Sequence, residues 1–403
     1  MGLGRTSAVA LVGLVGHVVE VEAHVASGLP AFTIVGLPDA SLSEARDRVR
    51  AAVASCGLGL PRQRLTVNLS PAALPKSGPG FDLAVAVALL AVADLPGTGA
   101  AAHTVHLGEL GLDGRLHPVA GVLPAVAAAV RAGRPEIVVP AENAAEARLV
   151  PGARVHAVRH LAEVVVHHGG RAAVPVVPPP PPRDRDRPAD RRPADLADVL
   201  GQDEARFALE VAAAGGHHLF LVGAPGVGKT MLAARLPGLL PDLDDEAAVE
   251  VTSVHSVAGT FDPSGGLLRR PPFEDPHHTA TPAAVVGGGS GVVRPGAASR
   301  AHRGVLFLDE APEFSPRVLQ SLRQPLEGGE LVIHRARTSA RYPARFLLVM
   351  AANPCPCGKA VGKGLGCTCT PMQRRRYLGR LAGPLMDRVD IQVEVHAPAR
   401  AAL

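Results

Sequence analysis

A chain of 403 residues, 47% of them hydrophobic, can bury two or more cores. With no Trp, 3% aromatics and a net charge of +4, it is mildly basic, compatible with nucleic acid but without the cationic bias that would demand it. No basic segment, apolar core and cleavage site open the chain, and its longest apolar helical run, Phe81–Ala93, is too short to span a bilayer. Four of the five cysteines fall between 355 and 369, which argues for metal in a reducing cytoplasm and against a disulfide framework.

Residues 1 to about 170 alternate strand-like and helical patterns. Leu11–Val25 reads as strands with a turn, Ala31–Val35 as a strand, and Asp39–Cys56 as a helix. In that helix Leu42, Ala45, Val49 and Val53 share one face while Glu44, Arg46, Asp47, Arg48 and Arg50 face water. A strand at Arg64–Leu69, the Phe81–Ala93 helix, a strand-like Val105–Glu109, a turn at Leu112–Arg115, a helix from Gly121 to Ala132 and a strand at Glu136–Val139 follow. These elements predict an α+β domain over residues 1–172. Cys56, in an apolar helix, reads as core.

Residues 173–194 read as a linker. A run of five prolines from Pro178 favours polyproline II, and the mixed Arg/Asp tract after it cannot bury a core. A semi-rigid spacer is the simpler reading, a ligand for a proline-binding partner the other.

The remaining chain, 195–403, is organised around Gly223-Ala224-Pro225-Gly226-Val227-Gly228-Lys229-Thr230. An apolar strand precedes it and a helical pattern from Met231 follows, the context a phosphate-binding P-loop requires. Its glycines let backbone N–H groups turn toward phosphates at a helix N-terminus. Lys229 would reach the β/γ-phosphates and the Thr230 hydroxyl would bind Mg²⁺. Val305–Leu308 then runs as a buried strand into Asp309 and Glu310: Asp309 would hold Mg²⁺ through water, and Glu310 would polarise the attacking water. Together they predict an ATPase of the P-loop class, an α/β module with its parallel sheet between helices.

Cys355-Pro-Cys357 and Cys367-Thr-Cys369 suit a tetrahedral structural Zn²⁺; reduced, unligated thiols are the alternative. Glu330–Arg345 predicts a hairpin with Arg335, Arg337 and Arg341 near its tip, where they could neutralise strand phosphates or simply be solvated. Arg374–Arg376 reads as a solvated face. His277 and His278 are given no chemistry.

Two resemblances add to this. Leu69–Asp82 (LSPAALPKSGPGFD) and Leu112–Gly121 (LDGRLHPVAG) resemble the proteolytic domain of Lon-type proteases. That family's nucleophilic Ser falls near Gly80 and its Lys near Leu123, so the dyad is missing. A dyad shifted to Ser77 and Lys76 is the alternative. Asp195–Gln202, Ala213–His218, the P-loop, Pro272–Thr279, Gly287–Ser290 and Gly304–Glu310 resemble magnesium-chelatase-like AAA+ ATPases, best the ComM/YifB subgroup with its Lon-like N-terminal domain.

This resemblance implies ATP and Mg²⁺ as cofactors, with Gln202 and Met231 beside the nucleotide. Asn353, ending the strand from Arg345, takes the place of sensor 1 and Arg388 that of an arginine finger; a surface Arg paired with Asp387 or Asp390 is the alternative. A homo-oligomeric, hexameric ring is implied too, its pore lined by the Glu330–Arg345 hairpin. The resemblance also implies a helical lid with a sensor-2 arginine after Val395; this sequence stops shortly beyond that strand, so either it is a piece of a longer chain or the lid is lacking. The implied activity is DNA translocation or branch migration, in recombination or natural transformation; a metal-chelatase motor subunit and a protein remodeller are the alternatives.

Overall fold

The computed structural model describes residues 3–93, 98–178, 194–289, 293–334, 339–360, 366–381 and 385–397. Strands β1 (Leu3–Val12) and β2 (Val15–Ala26) pair from Leu3↔His24 to Val12↔Val15, turning at Gly13, whose φ of +64° suits the left-handed position of a two-residue hairpin. They are followed by β3 (Ala31–Val35), β4 (Arg64–Ser70), β5 (Val105–His106), the small β6–β7 ladder (Glu109–Leu110, Leu116–His117), β8 (Glu136–Pro140) and β9 (Arg154–Val158). A seven-stranded mixed sheet results, in the order β3-β4-β2-β1-β5-β8-β9, antiparallel at β1/β2 and β2/β4 and parallel elsewhere.

Both faces of this sheet are covered, and period-2 alternation decides which side chain goes where. Ala8 and Ala10 point into one core with Leu42, Val49, Leu83 and Leu161, while Val9 points into the other with Val105, Val126, Ile137 and Val139. The helix Ala40–Ser55 starts where predicted, because the Asp39 carboxylate accepts from Leu42 N at 2.8 Å. Its predicted face is buried. The helix Asp82–Val92 is buried all round from Asp82 to Ala91, as its nearly unbroken apolar run demands. The stretch expected as one strand from Val105 to Glu109 is broken at Gly108, which has φ +155°. Of the linker, residues 173–178 carry no regular structure, and residues 179–193 lie outside the described residues.

The second sheet is parallel throughout, in the order β11-β12-β15-β10-β16: β10 (Leu219–Gly223), β11 (Phe273–Glu274), β12 (Val305–Leu308), β15 (Leu347–Ala352) and β16 (Ile391–Val395). Helices on both faces make its strands read as continuous apolar runs. Leu219, Leu221, Phe307 and Val349 join the core under the helix Asp203–Gly215; Phe220, Leu306, Leu308 and Met350 join the opposite core with Val318 and Leu319. Strands β13 (Glu330–His334) and β14 (Ser339–Pro343) form the predicted hairpin.

The hairpin lies against the first sheet. Gly13 is so close to it that a Cβ would sit 2.4 Å from the Arg341 carbonyl oxygen, and Tyr342 packs with Leu11, Leu14 and Val257 while its hydroxyl donates to the Val293 carbonyl at 2.7 Å. The helix Asp245–Ala258 docks nearby: Gly121 N donates to Ser256 O at 3.0 Å, and the Ser256 hydroxyl donates to the buried Glu146 carboxylate, which also accepts from Leu123 N at 2.9 Å. A cavity of about 580 Å³ lies at this junction, reached by Lys76, Ser77, Glu109, Arg294 and Tyr342.

Candidate nucleotide site and thiolate cluster

Open parallel sheets place their sites where strands end at the carboxyl side. Here β12, β15 and β10 are neighbours in register, Leu308 opposite Met350 and Val222 opposite Ala352. Asp309, Asn353 and the loop after Gly223 therefore emerge side by side. Gly226 and Gly228 are left-handed, at φ +80° and +97°, and Gly228 N-caps the helix Lys229–Ala233. That helix begins before the pattern from Met231 and stops at Ala233, short of a 3₁₀ turn at Leu236–Gly238 that contains Pro237.

Lys229 is only 8% exposed. Its amine donates to Gly223 O at 2.8 Å, Ala224 O at 3.0 Å and Asn353 Oδ1 at 3.1 Å. Burial lowers its pKa from the ordinary lysine value, against the opposing charges of Asp309 and Glu310. The Thr230 hydroxyl donates to Asp309 Oδ2 at 2.6 Å, so the two groups expected to share Mg²⁺ meet. The other Asp309 oxygen accepts from Glu310 N at 2.9 Å. Glu310 itself stands at φ +50°, a strained position for a residue with a side chain. Gly223 is hemmed in by Val395, whose carbonyl would lie 2.4 Å from a Cβ.

Gln202, also left-handed at φ +57°, reaches the loop: its amide donates to Val227 O at 2.6 Å and to His396 O at 3.3 Å, while its Oε1 is buried without a partner. Met231 is 38% exposed, its methyl against Gly228. These features fit a nucleotide and Mg²⁺: left-handed glycines, a lysine amine on the loop's own carbonyls, a Thr–Asp pair at hydrogen-bond distance and an orphan acceptor beside the loop.

Two predicted residues sit apart from this group. Arg388, exposed, pairs with Glu327 at 3.2 Å, not with Asp387 or Asp390; Asp390 instead accepts from His218 N. Arg341 pairs with Glu330 at 2.9 Å, and Arg335 and Arg337 lie outside the described residues. His278, to which sequence reasoning gave no chemistry, has its Nδ1 3.2 Å from Glu310 Oε2; its place in the Pro272–Thr279 motif was the available signal. Tyr377 is another addition, a buried side chain near Asn353.

The Sγ atoms of Cys355, Cys357, Cys367 and Cys369 all lie within 4.8 Å of one another. Three of the separations are 3.4, 3.5 and 3.6 Å, near the about 3.8 Å edge of a tetrahedron with Zn–S bonds of about 2.3 Å. The Lys359 backbone N–H holds the Cys357 thiol down to about 5. This donor set fits a soft divalent ion.

Of the N-terminal candidates, Gly80 lies in a 3₁₀ turn and Leu123 is buried in the helix Val122–Arg131. Lys76 is wholly buried, its amine donating to the carbonyls of Leu69 and Pro71, whereas Ser77 is exposed.

Comparison with known proteins agrees with this geometry. The family described as magnesium chelatase, subunit ChlI, matches residues 195–403, and a second family described as subunit ChlI of Mg-chelatase matches residues 21–143. The chain thus belongs to the magnesium-chelatase-like AAA+ family. Among its relatives, an uncharacterized protein of Mycobacterium tuberculosis (strain H37Rv) is 54% identical over 98% of this chain and 77% of its own length. YifB of Escherichia coli K12 is 42% identical over 99% of the chain and 77% of its own. Competence protein ComM of Haemophilus influenzae Rd is 42% identical over 98% and 77%. Within the family, these near full-length matches place the chain in the ComM/YifB subgroup.

Proposed function

We propose that this chain is an ATP-hydrolysing motor that assembles as a ring, a hexamer by analogy, and acts on single-stranded or branched DNA in the cytoplasm, in recombination or natural transformation. The observation that carries the ATPase reading is the convergence of Lys229, Thr230, Asp309, Glu310 and Asn353 at the ends of three adjacent strands. Lys229 would exchange its loop carbonyls for the nucleotide's phosphates, held by the loop N–H groups; Gln202 and Met231 flank the loop. Thr230 and Asp309 would hold Mg²⁺, which when bound neutralises phosphate charge. Glu310 orients water and Asn353 binds the terminal phosphate or that water. Arg388, exposed and held by one carboxylate, is free to serve a neighbouring subunit's site, which a ring would supply.

In this reading residues 1–172 form a Lon-protease-like domain without protease chemistry, 173–194 a linker and 195–403 the ATPase module. Support comes from Gly80 and Leu123, which have no reactive side chain, and from a Lys76 amine committed to backbone carbonyls. The DNA assignment is supported by likeness to a competence protein and by the arginine-bearing hairpin. The Cys cluster holds structural Zn²⁺. Among the described residues, no helix is long and apolar enough to cross a membrane.

The test is ATP hydrolysis by the full chain without DNA, with single strands and with a branched junction, beside Lys229→Ala and Glu310→Gln. A several-fold rise with DNA, absent from both variants, is expected. Activity indifferent to DNA would refute the DNA reading. Activity that instead needs chelatase-type partner subunits would establish the second reading, which the family description favours.

A further inference from the structure

The cysteine cluster borders the nucleotide loop through Gly358, and a second path leads from it toward Asn353. The first runs through Gly358, directly after Cys357. Gly358 is buried and left-handed at φ +74°, and a Cβ built on it would lie 2.6 Å from Cγ of Pro225, in the middle of the phosphate loop. Only glycine allows that approach. The second leaves Cys369 for the helix Pro371–Leu378, whose start is held by a Thr370–Gln373 capping box. On that helix the buried Tyr377 lies near Asn353, whose side chain accepts from the Lys229 amine at 3.1 Å. Cys355 itself is buried, two residues after Asn353. Sequence placed these cysteines between two motifs; the fold brings the residue after Cys357 onto the loop itself.

We propose that a zinc-type soft divalent ion held by Cys355, Cys357, Cys367 and Cys369 sets the nucleotide affinity of the phosphate loop, so that the metal-free protein binds nucleotide weakly. This inference rests on the nucleotide-site reading of Lys229 and its loop. Coordination ties the four sulfurs into one cross-link, and so holds Gly358 on Pro225 and the helix start after Cys369 in place. When the metal leaves, the cross-link between the two cysteine pairs is lost, both contacts loosen, and the loop loses the wall that fixes its curvature. The device responds to any condition that strips or oxidises the site.

The test uses the full chain. Zinc content is measured by atomic spectroscopy, and binding of a fluorescent ATP analogue is titrated as purified, after extraction of the metal with a thiol-directed mercurial and a chelator, and after return of Zn²⁺. Near-stoichiometric zinc is expected, with a loss of nucleotide affinity of about tenfold on extraction, reversed by Zn²⁺ and not by Mg²⁺. Cys367→Ser should show the same loss without rescue. Gly358→Ala should keep its zinc and still bind nucleotide more weakly, because the added methyl displaces Pro225; this separates coupling from simple unfolding. Equal affinity with and without zinc, or a chain that takes up no zinc, overturns this inference alone. A zinc-loaded chain that binds no nucleotide overturns the nucleotide-site reading as well.

Discussion

Replacing Arg48 by Met leaves Asp82 as a buried carboxylate without its cation. Asp82 is 0% exposed, in the first turn of the helix Asp82–Val92, and accepts from Arg48 Nε at 2.7 Å, Arg48 Nη2 at 3.0 Å and Leu110 N at 3.2 Å. Removing one partner of such a pair costs about 3–5 kcal/mol. The Leu110 N–H and the helix N-terminus remain and return up to about 1 kcal/mol. The expected loss is therefore about 3 kcal/mol at pH 7, a large share of the 5–15 kcal/mol typical of a folded protein. Even with Arg48 present, burial outweighs pairing and raises the Asp82 pKa from its ordinary value, while the Arg48 pKa is raised by the same hydrogen bonds.

In Arg48→Met the carboxyl rises further above its unfolded value near 3.9. A group raised on folding binds its proton in the native state, so the variant's deficit is full above the raised pKa and shrinks as pH falls through it. Hydrogen exchange of the Asp82–Val92 amides, read against pH in wild type, Arg48→Met and Arg48→Met/Asp82→Asn, reports on this region alone. The double variant should recover most of the loss. A deficit under about 1 kcal/mol at pH 7, or one that does not shrink on acidification, would refute this account of the pair.

Two further predictions concern histidines. Because His278 holds Glu310 at 3.2 Å, His278→Ala should lower kcat for ATP about tenfold with nucleotide Kd nearly unchanged, and His278→Asn should restore part of it; steady-state kinetics beside equilibrium binding checks this, and a change in Kd alone would contradict it. His168, 4% exposed with its Nε2 2.9 Å from that of His106, is depressed to about 4, by burial first and then by His167 and His156. Being neutral in the fold, it contributes stability that is whole above its unfolded pKa near 6.5 and is lost as pH falls toward 4, a difference of roughly 3 kcal/mol. Thermal unfolding of wild type and His168→Gln between pH 7 and pH 4 should show a flatter curve for the variant; parallel curves would exclude the role.

The sequence by itself determined what is local. Gly226, Gly228, Lys229 and Thr230 announced a phosphate loop because the backbone turn and its chemistry lie within one short stretch. The buried strands declared themselves because a sheet covered on both faces needs unbroken apolar runs, as at Val305–Leu308 and Leu347–Ala352. The helix Ala40–Ser55 was legible from its 3.6-residue period and its Asp39 cap. Only the tertiary structure decided which distant residues meet, since partner choice depends on strand order and register, which no local pattern encodes. Nothing near His278 points to Glu310, nothing near Arg388 selects Glu327 over the adjacent aspartates, and nothing in a Cys-Pro-Cys-Gly run shows that its glycine will rest on Pro225. The His278–Glu310 and Gly358–Pro225 contacts exist because β11, β12, β15 and β10 end side by side and bring the loops after them together, whereas Arg388, just before β16, meets Glu327 away from those loops.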